Sequence, residues 1–126
     1  MKVRPTRAEL GLALIFAISG ILHFTRPRPY EQIVPHRLPR KRELVYASGA
    51  AELLCSVGLM HPRTRAAAGL ASAGLLVALF PANVQMAADV CRSPRRGPGA
   101  KALALIRLPM QAPIVAVAWR AFRRDR

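Results

Sequence analysis

The charged residues of this chain are separated from its apolar residues along the sequence. Four apolar blocks are each bounded by Arg, Lys or Pro, and of the 20 Lys and Arg residues only Arg107 lies inside a block. A water-soluble domain with a net charge of +14 would interleave its charges with its apolar residues. The segregation therefore predicts an all-α, integral membrane four-helix bundle that forms a single domain over residues 1–126. The predicted spans cover residues 8–24, 44–60, 66–88 and 102–119.

The first apolar block follows a basic segment and so has the order of a secretory signal. No small-residue cleavage site follows this block, because His23 and Phe24 lead directly into Thr25-Arg26-Pro27. We therefore expect the first helix to be retained as a span. Lys and Arg are nearly balanced between the two membrane faces, so the positive-inside rule leaves the orientation open.

The excess of basic residues is also found in nucleic-acid-binding proteins. Here we find no basic patch interleaved with aromatic residues of the kind that binds nucleic acid, so we expect no nucleic-acid partner. Basic residues that flank spans attract anionic lipids, and the expected partner is a lipid bilayer containing them. Cys55 and Cys91 lie at different depths, so no disulfide is expected. The chain shows no metal-ligand spacing of His and Cys, and we expect no metal site.

Polar residues inside the predicted spans are few and lie in one half of the membrane. This half is nearest the loop-one face, which we define as the face that carries residues 25–43. A charged side chain in a membrane span costs about 2.5 to 3.5 kcal/mol, so such residues turn away from lipid and find partners. Helical spacing also places Ser48, Glu52 and Ser56 on one stripe of the second span. The expected buried polar cluster consists of His23, Glu52, Asn83, Arg107 and Gln111.

Two interpretations of this cluster stay open. In the first, Glu52 and Arg107 form a structural ion pair, and the other three side chains satisfy its remaining hydrogen bonds. In the second, the cluster lines a ligand pocket, where Arg107 and His23 hydrogen-bond a carbonyl or anionic group and Glu52 exchanges a proton. Neither interpretation assigns a catalytic residue.

The loop of residues 25–43 combines four prolines with apolar residues at about helical spacing. The prolines restrict the backbone, so this segment need not be an irregular loop. It either covers the polar cluster as an interfacial lid, with Tyr30, Pro35 and Pro39 as the covering residues, or anchors the bundle at the membrane surface.

Short motifs are spread over nearly the whole chain: His23-Phe24, Pro27, Tyr30, Ile33-Val34-Pro35, Leu38-Pro39, Leu44-Val45-Tyr46, Ser48-Gly49, Glu52, Pro62-Arg63-Thr64-Arg65, Phe80 to Met86 and Arg107-Leu108-Pro109-Met110-Gln111. Together they resemble the DoxX-like family of small bacterial membrane proteins. The resemblance covers nearly the whole chain and includes every member of the expected polar cluster. It implies four transmembrane helices, a multi-pass location in the cell inner or plasma membrane, and termini in the cytoplasm, but no defined reaction.

Three classes of function follow from these features. The first is an accessory or anchoring subunit of a membrane-associated complex, whose partner the resemblance implies to be an oxidoreductase. The second is a quinone-binding component of a membrane oxidoreductase, with quinone as the cofactor. The third is a small-solute or lipid carrier. Many carriers are built from internal repeats, whereas this chain has four short predicted helices and no internal repeat. Because the sequence has no cofactor motif and no cysteine pair, we expect no catalysis by this chain alone. The oligomeric state stays open.

Overall fold

The computed structural model describes residues 4–34 and 37–125, which form five helices. Four of these helices are long and apolar enough to cross a membrane, and the fifth, α2, is a short helix between the first two spans. The predicted fold class, an all-α integral membrane four-helix bundle, is confirmed. The helices are α1 (Arg7–Thr25), α2 (Pro27–Ile33), α3 (Lys41–Met60), α4 (Arg65–Arg92) and α5 (Pro98–Asp125).

Local sequence signals fix where several helices begin. Thr6 and Glu9 form a capping box at the start of α1, where the Glu9 amide donates to the Thr6 hydroxyl over 3.1 Å and the Thr6 amide donates to the Glu9 carboxylate over 2.9 Å. Arg40 has a φ of 55°, a left-handed conformation that turns the chain into α3. The predicted loop of residues 25–43 thus contains a helix, α2, because Pro27 and Pro29 suit its first turn.

The four spans pack as two close pairs, α1 with α3 and α4 with α5, which meet mainly through α3 and α4. Glycines allow the close approach within each pair. A Cβ on Gly20 would lie 2.9 Å from the carbonyl oxygen of Gly49. A Cβ on Gly69 would lie 2.6 Å from the backbone nitrogen of Phe122 and 2.7 Å from the carbonyl oxygen of Ala118. Such small-residue contacts are typical of membrane helix pairs.

The apolar core lies mainly in one half of the bundle. This half is nearest the terminal face, where α1 begins and α5 ends. In the other half, near the loop-one face, prolines interrupt α4 at Pro81 and α5 at Pro109 and Pro113. The residues predicted to form a polar cluster lie in that second half. The core residues are Leu12, Ala13, Phe16, Cys55, Leu59, Ala68, Ala73, Leu76, Ala118 and Ala121.

Candidate functional site

His23 and Glu52 lie side by side where α1 packs on α3. The Nδ1 atom of His23 is 3.5 Å from Oε2 of Glu52, and the two residues are only 6% and 3% exposed. Gly49 makes this contact possible, because a Cβ there would lie 2.7 Å from Cβ of His23. The structure therefore brings together two of the five residues that the sequence places in a polar cluster.

The hydrogen bonds of this pair are incomplete. Nδ1 of His23 lies 2.6 Å from the carbonyl oxygen of Ser19, to which the Nδ1–H tautomer donates. Oε2 of Glu52 and Oγ of Ser48, one helical turn apart on α3, are buried and have no hydrogen-bond partner in the described part of the chain. A buried polar atom without a hydrogen bond costs about 1 to 3 kcal/mol, so a ligand or water that hydrogen-bonded these two atoms would remove that cost.

The short helix α2 covers this pair from the loop-one face. The ring of Tyr30 stacks on the ring of His23, with centroids 3.9 Å apart and an angle of 23° between planes. Nε and Nη2 of Arg42 donate to the two carboxylate oxygens of Glu31 over 3.0 and 3.1 Å, which ties α2 to α3. Among the predicted lid residues, Tyr30 is thus a cover. Pro39 is exposed and covers nothing, and Pro35 lies outside the described residues.

The other three predicted cluster residues lie on α4 and α5, the second helix pair. Nε2 of Gln111 donates to the carbonyl oxygen of Leu76 over 2.7 Å and so joins α5 to α4. Asn83 is half-buried on α4. Arg107 is exposed, so the predicted buried ion pair between Glu52 and Arg107 is wrong. The reason is that α5 packs on α4 and not on α3, which leaves the two charges to interact only at longer range.

A buried charged network at the terminal face is missing from the sequence analysis. Nη2 of Arg124 donates to both carboxylate oxygens of Glu9 over 2.6 and 2.7 Å. Nε of the fully buried Arg65 lies 3.7 Å from Glu9 Oε2 and donates to the carbonyl oxygen of Leu59 over 2.9 Å. Arg65 and Arg124 flank predicted spans, and this sequence pattern predicts basic residues that attract anionic lipids. The Thr6-x-x-Glu9 capping pattern was the one signal that could have identified Glu9.

Closure of α2 over the pair should depend on pH. Hydrogen bonds from Arg42 lower the pKa of Glu31 below its ordinary value of 4.5. Because this pKa is lowered in the closed form, the contribution of Glu31 to closure is complete above the ordinary pKa and is lost as the pH falls through the lowered one. We expect hydrogen exchange in α2, corrected for its intrinsic rate, to become faster as the pH falls below 4.5, the ordinary pKa of Glu31. The Glu31→Gln variant should exchange faster at neutral pH and show little further change.

The matched control for this measurement is Glu43→Gln, which removes an equal charge from an exposed pair with Arg40 at 3.9 Å. It should keep the pH profile of the parent protein. Identical profiles for the parent and Glu31→Gln would contradict a role of this ion pair in holding α2.

Residues 12–122 match the sequence profile of a family described as a domain of unknown function, DUF8561. The chain belongs to the DUF8561 family. No curated protein and no solved structure matches it. The DUF8561 match contains His23, Glu52 and Arg107, whereas Glu9 and Arg124 lie outside it. The resemblance to DoxX-like proteins stays a prediction, and the function has to be argued from the structure.

Proposed function

We propose that this protein is an accessory or anchoring subunit of a membrane-associated complex, and that one face of α5 packs on a transmembrane helix of the partner. This docking face lies in the half of α5 nearest the loop-one face. Its members follow at positions i, i+3, i+4 and i+7, so they share one side of the helix. They are Leu103, Ile106, Arg107 and Met110, and all four are exposed.

Arg107 is the observation that carries this proposal. Exposed apolar residues on the other helices need only lipid, but Arg107 is an exposed charged residue inside a span, and Glu52 interacts with it only at longer range. It lies six residues after Lys101, the last basic residue before the span, and so about 9 Å deeper along the helix. A charge in a membrane span costs about 2.5 to 3.5 kcal/mol unless it is paired. A partner carboxylate at the same depth would remove that cost.

The charges of this chain favour a different protein over a second copy as the partner. Glu9 and Glu52, the acidic residues within its described spans, are buried. Glu43 and Asp89 lie near helix ends, in the first turn of α3 and three residues before the end of α4. A second copy would therefore not present a carboxylate at the depth of Arg107. The partner should be a transmembrane helix that carries Asp or Glu inside its span.

The resemblance to DoxX-like proteins supports a more specific form of this proposal. It implies that the partner is an oxidoreductase and that the complex lies in the cell inner or plasma membrane. In that form, the protein contributes a membrane anchor and the partner contributes the redox centre.

Native mass spectrometry of the protein, gently extracted from its own membrane, tests the proposal. We expect a bound membrane protein with an acidic residue in a span. The Arg107→Gln variant should weaken the association by about 2 kcal/mol or more, because it leaves that carboxylate unpaired in the membrane. The control Arg95→Gln removes an equal charge from the exposed loop before α5 and should leave the association unchanged.

A charge reversal identifies the contact. Arg107→Glu should abolish the association, and changing the partner's acidic residue to Arg should restore it. An undiminished complex of Arg107→Gln would contradict the docking face. A complex made only of copies of this chain would replace the proposed partner by a second copy.

A second candidate function, a quinone-binding component of a membrane oxidoreductase, is favoured by Oε2 of Glu52 and Oγ of Ser48, two buried atoms without a hydrogen bond among the described residues. A protonated Glu52 and the Ser48 hydroxyl are the residues that would hold a quinone carbonyl, because both can donate a hydrogen bond. Tyr30 would have to move off His23 to admit the ring. In the same spectra, a quinone-sized adduct that is lost in Ser48→Ala and retained in Arg107→Gln would favour this candidate over the first.

A further inference from the structure

A cavity of about 440 Å³ opens at the loop-one face, between the end of α1 and the start of α3. Its size is within the range of small-molecule sites, about 300 to 1,000 Å³. It lies where α1 leaves the membrane, which is the level of lipid headgroups. The lining residues are Thr25, Arg26, Pro27, Arg28, Pro29 and Arg42.

The cavity has more positive than negative charge around it. Three of its lining residues are arginines, whereas Glu31 is the acid that contacts them, through the paired hydrogen bonds from Arg42. In the described part of the chain, no carboxylate lies within 4 Å of the guanidinium groups of Arg26 and Arg28. Arg28 reaches Glu31 only at longer range. The three arginines repel one another, and Glu31 offsets only part of this repulsion. An anion in the cavity would offset the rest.

The backbone around the cavity is stiff. Pro27 follows Arg26 and Pro29 follows Arg28, and each proline fixes its own φ angle. The amide of Arg26 donates to the carbonyl oxygen of Leu22 over 2.8 Å. Less freedom is therefore lost when Arg26 and Arg28 close on a ligand. A guanidinium group presents parallel N–H donors that match the oxygens of a phosphate.

We propose that this cavity binds a phosphate group, with Arg26 and Arg28 as its main ligands and Arg42 as the third. The phosphate has two possible sources, the headgroup of an anionic phospholipid and phosphate free in solution. The proposal does not depend on the docking face of α5, which lies on another helix.

The test is a titration of the full-length protein in neutral detergent with phosphatidylglycerol, followed by native mass spectrometry. We expect one lipid to bind more tightly than the rest and to resist competition by phosphatidylcholine. The double variant Arg26→Gln with Arg28→Gln should weaken this binding about 30-fold. Both arginines are exposed, so the variant should keep the helix content of the parent by circular dichroism.

The matched control is Arg95→Gln with Arg96→Gln, which removes two charges from exposed positions at the same membrane face. It should change the binding less than about threefold, because it alters only the screened surface charge. Equal weakening by both double variants, or no weakening by the first, would overturn the proposal.

A second titration with inorganic phosphate identifies the source. If phosphate alone binds, depends on Arg26 and Arg28, and displaces the lipid, the site takes free phosphate. If inorganic phosphate neither binds nor displaces the lipid, while the binding of phosphatidylglycerol still depends on both arginines, the ligand is the lipid headgroup. Either result supports the site.

Discussion

Replacing Glu9 by Gln should destabilise the bundle by about 3 to 5 kcal/mol, because it removes one charge from a buried ionic network. Glu9 is 3% exposed and accepts two hydrogen bonds from Arg124. It is also the carboxylate beside Arg65, whose side chain is fully buried. In the variant, that guanidinium stays in the bundle next to a neutral amide. The same change weakens the capping box that begins α1.

Equilibrium unfolding in detergent micelles, followed by circular dichroism, measures this loss. The control is Glu43→Gln, whose carboxylate pairs with Arg40 at the surface with both side chains more than 70% exposed. Exposed pairs contribute about 0 to 1 kcal/mol, so the control should unfold almost as the parent does. Equal free energies of unfolding for the two variants would show that the network at the terminal face adds no stability.

Replacing Gly69 by Ala should cost about 1 to 3 kcal/mol, or more if α4 and α5 cannot separate. The new Cβ would lie 2.6 Å from the nitrogen of Phe122 and 2.7 Å from the carbonyl oxygen of Ala118. Both are backbone atoms of α5, so no side-chain rotation relieves the clash. The helices must move apart, and the apolar contacts between them are weakened along the terminal half.

Gly74→Ala is the matched control, since it makes the same change on the same helix where no atom lies within 4 Å of the new Cβ. Alanine forms helix better than glycine by about 1 kcal/mol, so this variant should be as stable as the parent or slightly more stable. The same unfolding measurement compares the two. If Gly69→Ala were as stable as Gly74→Ala, the close approach of α4 and α5 would not be needed for stability.

The fold could be predicted because the membrane imposes one simple requirement on a sequence. Backbone polar groups must be satisfied within each span, so a long apolar block is a helix whatever lies beside it. The contact between His23 and Glu52 could also be predicted from the sequence. Each residue is costly to expose to lipid, and the depth of each follows from its distance to the nearest loop.

The neighbours of each span could not be predicted in the same way. Glu52 and Arg107 have suitable depths and opposite charges, but depth does not say which helices touch, and α5 lies against α4. Gln111 donates a hydrogen bond to the backbone carbonyl oxygen of Leu76. Spacing along the sequence does not identify such a backbone acceptor. Arg65 was missed because an arginine at a helix end has the same sequence pattern whether it extends to the lipid headgroups or turns into the bundle.

Because the apolar core lies near the terminal face, the apolar packing that stabilises the bundle is concentrated at one of its two ends. We expect movements of the helix ends near the loop-one face to leave the contacts of Leu12, Phe16 and Leu59 intact, and so to cost less of the folding free energy than movements at the terminal face. The helices should therefore separate more readily at the loop-one face than at the terminal face. Thermal motion, exchange of bound molecules and tolerance of sequence change would then all be greatest at the loop-one face.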